Sequence, residues 1–122
     1  MFFNEEAHQS NYFISRCDAK GVSINDTLYS KSILLSEKSG PRDWPVQSID
    51  QLNEQHLEFG SHYEVILLGT GSSLCWPKHH LIEQWQLKHL PIEVMNTKMA
   101  CQTYNVLTSD HRPVLAALII NP

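Results

Sequence analysis

Apolar positions along the chain change character near its middle. In the first third they come in short clusters: Tyr12-Phe13-Ile14 and Gly21-Val22-Ser23-Ile24 flank the turn signal Asp18-Ala19-Lys20-Gly21, and Asn25-Asp26 opens a second turn before Leu28-Tyr29 and Ser32-Ile33-Leu34-Leu35. Short apolar runs punctuated by Gly, Asn and Asp are strands joined by tight turns, so the pattern predicts an N-terminal β region. From Ser36 to Pro45 the residues Gly40, Pro41 and Pro45 break every period, which predicts a loop, with Trp44 pinning it to the body. Asp50 stands where it caps a short helix through Glu58, with Leu52 and Leu57 as its apolar positions and Gly60 as a stop signal.

The second half is more strongly patterned. Val65-Ile66-Leu67-Leu68 is a continuous apolar run closed by Gly69, the signature of a strand buried on both faces. Pro77 suits a first helical turn, and the segment to His89 carries Leu81, Ile82 and Trp85 on one side; a strand from Ile92 to Met95 follows Pro91. Strand, helix and strand within about thirty residues make a βαβ unit with parallel strands and a right-handed crossover. Asn96 or Thr97 then caps a helix in which Ala100, Thr103, Tyr104 and Leu107 recur at i, i+3, i+4 and i+7, widened by Met99, Cys101 and Val106. Asp110-His111-Arg112-Pro113 turns the chain into Val114 to Ile120, a run that belongs in the middle of a sheet. The expected fold class is α/β: a single domain spanning residues 1–122, with a central mixed sheet that contains the βαβ unit, plus the N-terminal β region.

Composition narrows the partners. With 122 residues and 42% apolar content the chain makes one ordinary domain able to bury its own core. Nine Lys and Arg against thirteen Asp and Glu leave a formal charge of −4, and the cations are scattered singly, which argues against nucleic acid as a partner. Cys17, Cys75 and Cys101 are an odd set without a C-x-x-C pair, as expected of a reducing compartment. The start, Met1-Phe2-Phe3-Asn4-Glu5-Glu6, turns acidic at once and has neither the basic region nor the apolar region of an export signal. The longest apolar run falls far short of the roughly 20 residues that span a bilayer, so the expectation is a soluble cytoplasmic protein without a membrane span.

Four stretches of this half, taken in order, resemble one known family. They are Ile66-Leu67-Leu68-Gly69-Thr70-Gly71, Glu93-Val94-Met95-Asn96-Thr97, Ala100-Cys101-Gln102-Thr103-Tyr104-Asn105-Val106-Leu107, and Arg112 followed by Val114-Leu115-Ala116-Ala117-Leu118-Ile119. Together they resemble the MTH-nine-three-eight-like domain family, a family without an assigned function that includes the mitochondrial complex I assembly factor three proteins. The resemblance extends over about residues 12 to 120. It implies a three-layer α/β fold and, through the mitochondrial members, a role as an assembly partner of other proteins rather than as an enzyme.

The chemistry on offer is sparse. Gly69-Thr70-Gly71 follows a buried strand, where glycine loops cradle phosphates on backbone N–H groups, but the third glycine of a dinucleotide fingerprint and the G-K-[ST] of a Walker loop are absent. In a parallel βαβ unit the loops after Leu68 and Met95 leave the same sheet edge, which places Gly69, Thr70, Gly71, Ser72, Ser73, Asn96 and Thr97 on one rim; Arg112 could add charge there or pair with Glu93 or another carboxylate. The structural alternative is that the glycines serve a tight turn and Asn96 or Thr97 caps its own helix. Cys75, His79 and His80 have the residue types of a metal site, but His79 and His80 diverge by about 100° on a helix and no fourth ligand follows. Cys101 sits in an apolar stripe and is expected in the core, with Cys75 the more exposed thiol. Tyr104 is expected to bury its ring and satisfy its hydroxyl, Asn105 to bond the backbone of a neighbouring loop, and Trp44 or Trp76-Pro77 to offer an aromatic anchor. No complete catalytic set, resident metal or cofactor emerges. The function expected is a non-enzymatic protein-interaction or assembly module, able to self-associate as a homo-oligomer; the alternative is a small-anion or nucleotide-related ligand held on the rim.

Overall fold

The computed structural model describes residues 11–120; the acidic start at Met1 to Glu6 lies outside them. Three short strands, β1 (Ile14–Asp18), β2 (Gly21–Ile24) and β3 (Thr27–Tyr29), form an antiparallel sheet in the order β1-β2-β3. Both turns have local causes. The Lys20 N–H donates to Asp18 Oδ1 at 2.9 Å between the paired Asp18 and Gly21, and Asn25 and Asp26 both adopt positive φ, 47° and 71°, as a two-residue hairpin turn requires. β1 begins at Ile14, where Tyr12-Phe13-Ile14 was the expected strand, and the register shifts between Ile14 and Arg16.

The central sheet has five strands in the order β5-β4-β8-β6-β7: β4 (Ile33–Ser36), β5 (Gly40–Asp43), β6 (Val65–Gly69), β7 (Ile92–Met95) and β8 (Val114–Leu118). β6 is parallel to β7 and to β8, whereas β4 is antiparallel to β5 and β8. Two α-helices, α1 (His79–Leu87) and α2 (Thr97–Thr108), complete the fold. Alternation along the strands divides the core in two. Ile33, Leu35, Val65, Leu67, Val114, Ala116 and Leu118 face α2 and the small sheet, while Leu34, Ile66, Leu68, Leu115, Ala117 and Ile119 face Trp44, Leu52, Leu57, and Leu81 and Trp85 of α1. The result is the expected three-layer α/β architecture.

Two expected elements are replaced. The stretch Ser36 to Pro45 is a hairpin with β5 as its second strand: Ser36 pairs with Gly40, whose φ of 69° closes a three-residue turn, and Pro41 is tolerated because β5 lies at the sheet edge. Trp44, 5% exposed, pins its end to the second core as expected. In place of one helix from Asp50 to Glu58 there are two 3-10 segments, Ile49–Gln51 and Glu54–His62, the second running through Gly60. With Leu52 and Leu57 as its strong apolar positions, the segment lacks the continuous stripe that would hold an α-helix on the sheet.

Candidate functional site

Because β6 and β7 are parallel with Gly69 opposite Met95, the loop after β6 and the start of α2 leave one edge together. Thr97 ties them. Its N–H donates to Gly71 O at 2.9 Å, its Oγ1 accepts from Gly71 N–H at 2.9 Å, and its hydroxyl donates to Ile119 O at 2.7 Å. Thr70 organises the loop: its N–H donates to Met95 O at 2.9 Å, its hydroxyl donates to Ser73 O at 2.8 Å, and its Oγ1 accepts from Cys75 N–H at 3.0 Å. Asn96 caps α2, Oδ1 accepting from Met99 N–H at 2.8 Å.

The structure therefore brings Gly69, Thr70, Gly71, Ser72, Ser73, Asn96 and Thr97 to one rim. Several of their strongest hydrogen-bonding groups are engaged in holding the rim itself, and Gly69 is where α2 meets the sheet. Arg112 is not brought there. It precedes β8, at the opposite end of the parallel strands, about 13 Å away along a strand of this length. It pairs with Glu64 instead of Glu93, Nε donating to Oε1 at 3.0 Å, and this guanidinium holds the Glu64 carboxyl below the ordinary carboxylate range. No local signal in the sequence sets the direction of β8, which decides on which edge Arg112 falls.

Asn96→Ala should cost the cap, about 1 kcal/mol of stability measured by urea unfolding. A loss several times larger would mean that Asn96 does more than cap its helix.

Beside the rim lies a groove of ≈ 480 Å³ between the β1–β2 turn and the first turn of α2, lined by Cys17, Asp18, Val22, Gly71, Ser72, Thr97, Lys98 and Ile119 among others. Lys98 contributes a cation; the Asp18 carboxylate is held below its ordinary range by the Lys20 N–H, with Arg16 at 2.8 Å. A second cleft of ≈ 560 Å³, between Asp50 to Gln55 and Lys78, His80 and Leu81, is polar and open.

The remaining candidates fall elsewhere. Cys75 is exposed in the loop, His79 Nε2 faces Glu83 Oε1 at 2.9 Å, and among the described residues no three His, Cys, Asp or Glu side chains converge as metal ligands do. Cys101 is buried, as expected; the neighbouring Cys17 and burial push its thiol well up, while Cys101 beside it holds the Cys17 thiol below its usual range. Tyr104 is fully buried, and burial pushes its phenol up; contrary to expectation its hydroxyl has no hydrogen-bond partner among the described residues. Asn105 bonds a strand in place of a loop, Nδ2 donating to Ile14 O at 2.8 Å and Oδ1 accepting from Ile14 N–H at 3.0 Å.

A three-layer α/β domain with a glycine-loop rim is the class that fold and site define. The model of a family described as "Protein of unknown function (DUF498/DUF598)" matches residues 14–119, and the chain belongs to that family. Over 98% of its length it is 29% identical to a Francisella tularensis subsp. holarctica protein named "13 kDa major membrane protein", of which it covers 99%. Over 62% of its length it is 30% identical to the Drosophila melanogaster NADH dehydrogenase [ubiquinone] 1 alpha subcomplex assembly factor 3, of which it covers 42%, so it spans under half of that relative. Among solved structures, a Xanthomonas campestris protein superposes with a TM-score of 0.80 at 30% identity, covering 98% of this chain and 92% of that one. A Bordetella pertussis protein described as a Mth938-like domain superposes at 0.75 with 18% identity, covering 99% and 93%, which shows the fold. Among the described residues no helix is long and apolar enough to cross a membrane.

Proposed function

We propose that the chain is a non-enzymatic interaction module that docks another protein and assists its assembly. One observation carries the reading: Leu74 and Trp76, 50% and 64% exposed, stand within three residues of each other on the loop that Thr70 fastens at its base. Single surface hydrophobes are ordinary, but a tryptophan held outward on a secured loop is the kind of anchor that dominates protein interfaces. The kinship with assembly factor 3 proteins supports the same reading. So does the rim, where much of the polar hardware is engaged internally.

Affinity capture with the tagged full chain and with Trp76→Ser tests it. The expected result is a stoichiometric co-purifying protein whose recovery falls about 30-fold in the variant, the loss that follows from removing an anchor worth about 2 kcal/mol. Equal recovery by both proteins would remove Trp76 from the account.

A second reading has its own observation, the groove beside the rim with Lys98 at its edge, which suits a small anionic ligand. A thermal-shift screen of phosphates, nucleotides and organic acids separates the two. The interaction module gives a flat screen, whereas a shift of several degrees that Lys98→Ala abolishes would favour the ligand. We place the protein in the cytoplasm, on the support of three cysteines that form no disulfide. Recovery in the membrane fraction of gently lysed cells would overturn that placement and align the chain with its relative named as a membrane protein.

A further inference from the structure

The two edges of the central sheet are built differently. β5 carries Pro41, which has no N–H to offer, followed by exposed Arg42 and Asp43, the means by which natural edges resist pairing. β7 has no proline and a single charge: Glu93 is exposed, and Ile92, Val94 and Met95 are half-buried. Among the described residues β7 pairs with β6 alone. The carbonyls of Pro91 and Met95 accept from Ile66 N–H at 2.8 Å and from Thr70 N–H at 2.9 Å. Alternation along the strand therefore turns the backbone groups of Ile92, Val94 and the extended Asn96 outward.

The open groups on this outer line are complementary to the same line reversed. Ile92 offers only its carbonyl, because its N–H donates to Leu90 O at 2.9 Å. Val94 offers both groups. Asn96 offers only its N–H, because its carbonyl accepts from Ala100 N–H of α2 at 3.0 Å. Laid antiparallel to itself about Val94, the line sets each open donor against an open acceptor, and the spent N–H of Ile92 against the spent carbonyl of Asn96. A regular strand from another protein would leave its own donor and acceptor facing those spent positions.

We propose that β7 is a self-pairing edge, at which a second copy of the chain adds its own β7 antiparallel across a two-fold axis at Val94 and joins two five-stranded sheets into one. Val94 exchanges N–H and C=O hydrogen bonds with Val94 of the partner subunit, and Asn96 N–H donates to the carbonyl of the partner's Ile92, with the reverse bond following by symmetry. Glu93 falls opposite the partner's Met95, so no like charges stand directly across the joint. An axis at Glu93 would set two carboxylates face to face and leave the Val94 carbonyl opposite the spent Ile92 N–H, which fixes the register at Val94.

Sedimentation of the full chain over a range of concentrations tests this, with Val94→Pro as the variant. Proline at position 94 removes an outward N–H and no hydrogen bond to β6, so the protomer should keep its circular dichroism spectrum. The wild type is expected to pass from monomer to dimer as it is concentrated. Val94→Pro should raise the dimer dissociation constant more than about tenfold, because symmetry removes the bond twice. A second measurement needs no variant: in the wild type, hydrogen exchange at the Val94 and Asn96 amides should slow as the protein is concentrated. A wild type that stays monomeric at about 1 mM, an undiminished dimer of Val94→Pro, or exchange independent of concentration would each overturn the proposal. So would a different protein held at this edge and lost in Val94→Pro while the chain itself stays monomeric.

Discussion

Asn105→Ala is expected to lower the thermal midpoint by roughly 8–20 °C in a melt followed by circular dichroism, corresponding to about 2–5 kcal/mol. β1 is an edge of the small sheet, and at Ile14 its outward N–H and C=O are both satisfied by the Asn105 amide, at 3.0 and 2.8 Å. Ile14 is fully buried, so alanine leaves a donor and an acceptor without water or partner, each costing about 1–3 kcal/mol. Against the 5–15 kcal/mol that holds a typical domain, this is a large share. Asn105→Asp keeps an acceptor for the N–H but sets a carboxylate against the Ile14 carbonyl, so it should not rescue. A midpoint within about 2 °C of wild type for the alanine variant would show that the amide is dispensable.

The second large effect is expected at Gly69. A Cβ there would lie 2.9 Å from Thr97 Cα, 3.0 Å from Thr97 Oγ1 and 3.3 Å from Ala100 Cβ. The nearest of these is backbone, and three hydrogen bonds anchor Thr97: those with the N–H and the carbonyl of Gly71, and the one to Ile119 O. Relieving the overlap means moving the start of α2 off the sheet and stretching those bonds. Overpacking of about 1–3 kcal/mol together with about 1 kcal/mol for a weakened bond gives a loss of about 2–4 kcal/mol for Gly69→Ala by urea unfolding. Adding Ala100→Gly relieves only the longest of the three contacts and should restore little. Full stability in the single variant would mean that α2 can slide without cost.

How far the sequence could be read follows from where each signal resides. β6 and β8 were legible because strands at the middle of a buried sheet are written as unbroken apolar runs, β7 because Ile92 to Met95 follows Pro91 after a helix, and α2 because its stripe recurs at helical spacing. The helix after Pro77 was placed correctly, though α1 occupies only His79–Leu87 and His89, at φ 57°, lies beyond its end. β5 was hidden because Gly40 and Pro41, ordinary breakers, here serve a hairpin turn and an edge strand. The rim residues could be grouped from the parallel unit alone. The Glu64 partner of Arg112 and the hold of Asn105 on Ile14 join distant segments, and no local pattern encodes such meetings.

The place of β8 has a consequence for the order in which the molecule is built. A polypeptide made from its N-terminus first completes the β4–β5 hairpin and then the β6–α1–β7 unit, yet in the central sheet these two halves touch only through β8, between β4 and β6. Until that strand arrives the inner edges of β4 and β6 are open templates, and Leu35 and Leu67 have no common sheet to cover. Assembly of the sheet thus waits until Val114 to Leu118 has been made, and a nascent chain halted before Val114 presents two adhesive edges to its neighbours. Side chains from Val114 to Ile120 alternate between the two cores and serve both at once, so β8 closes the sheet as a wedge closes an arch.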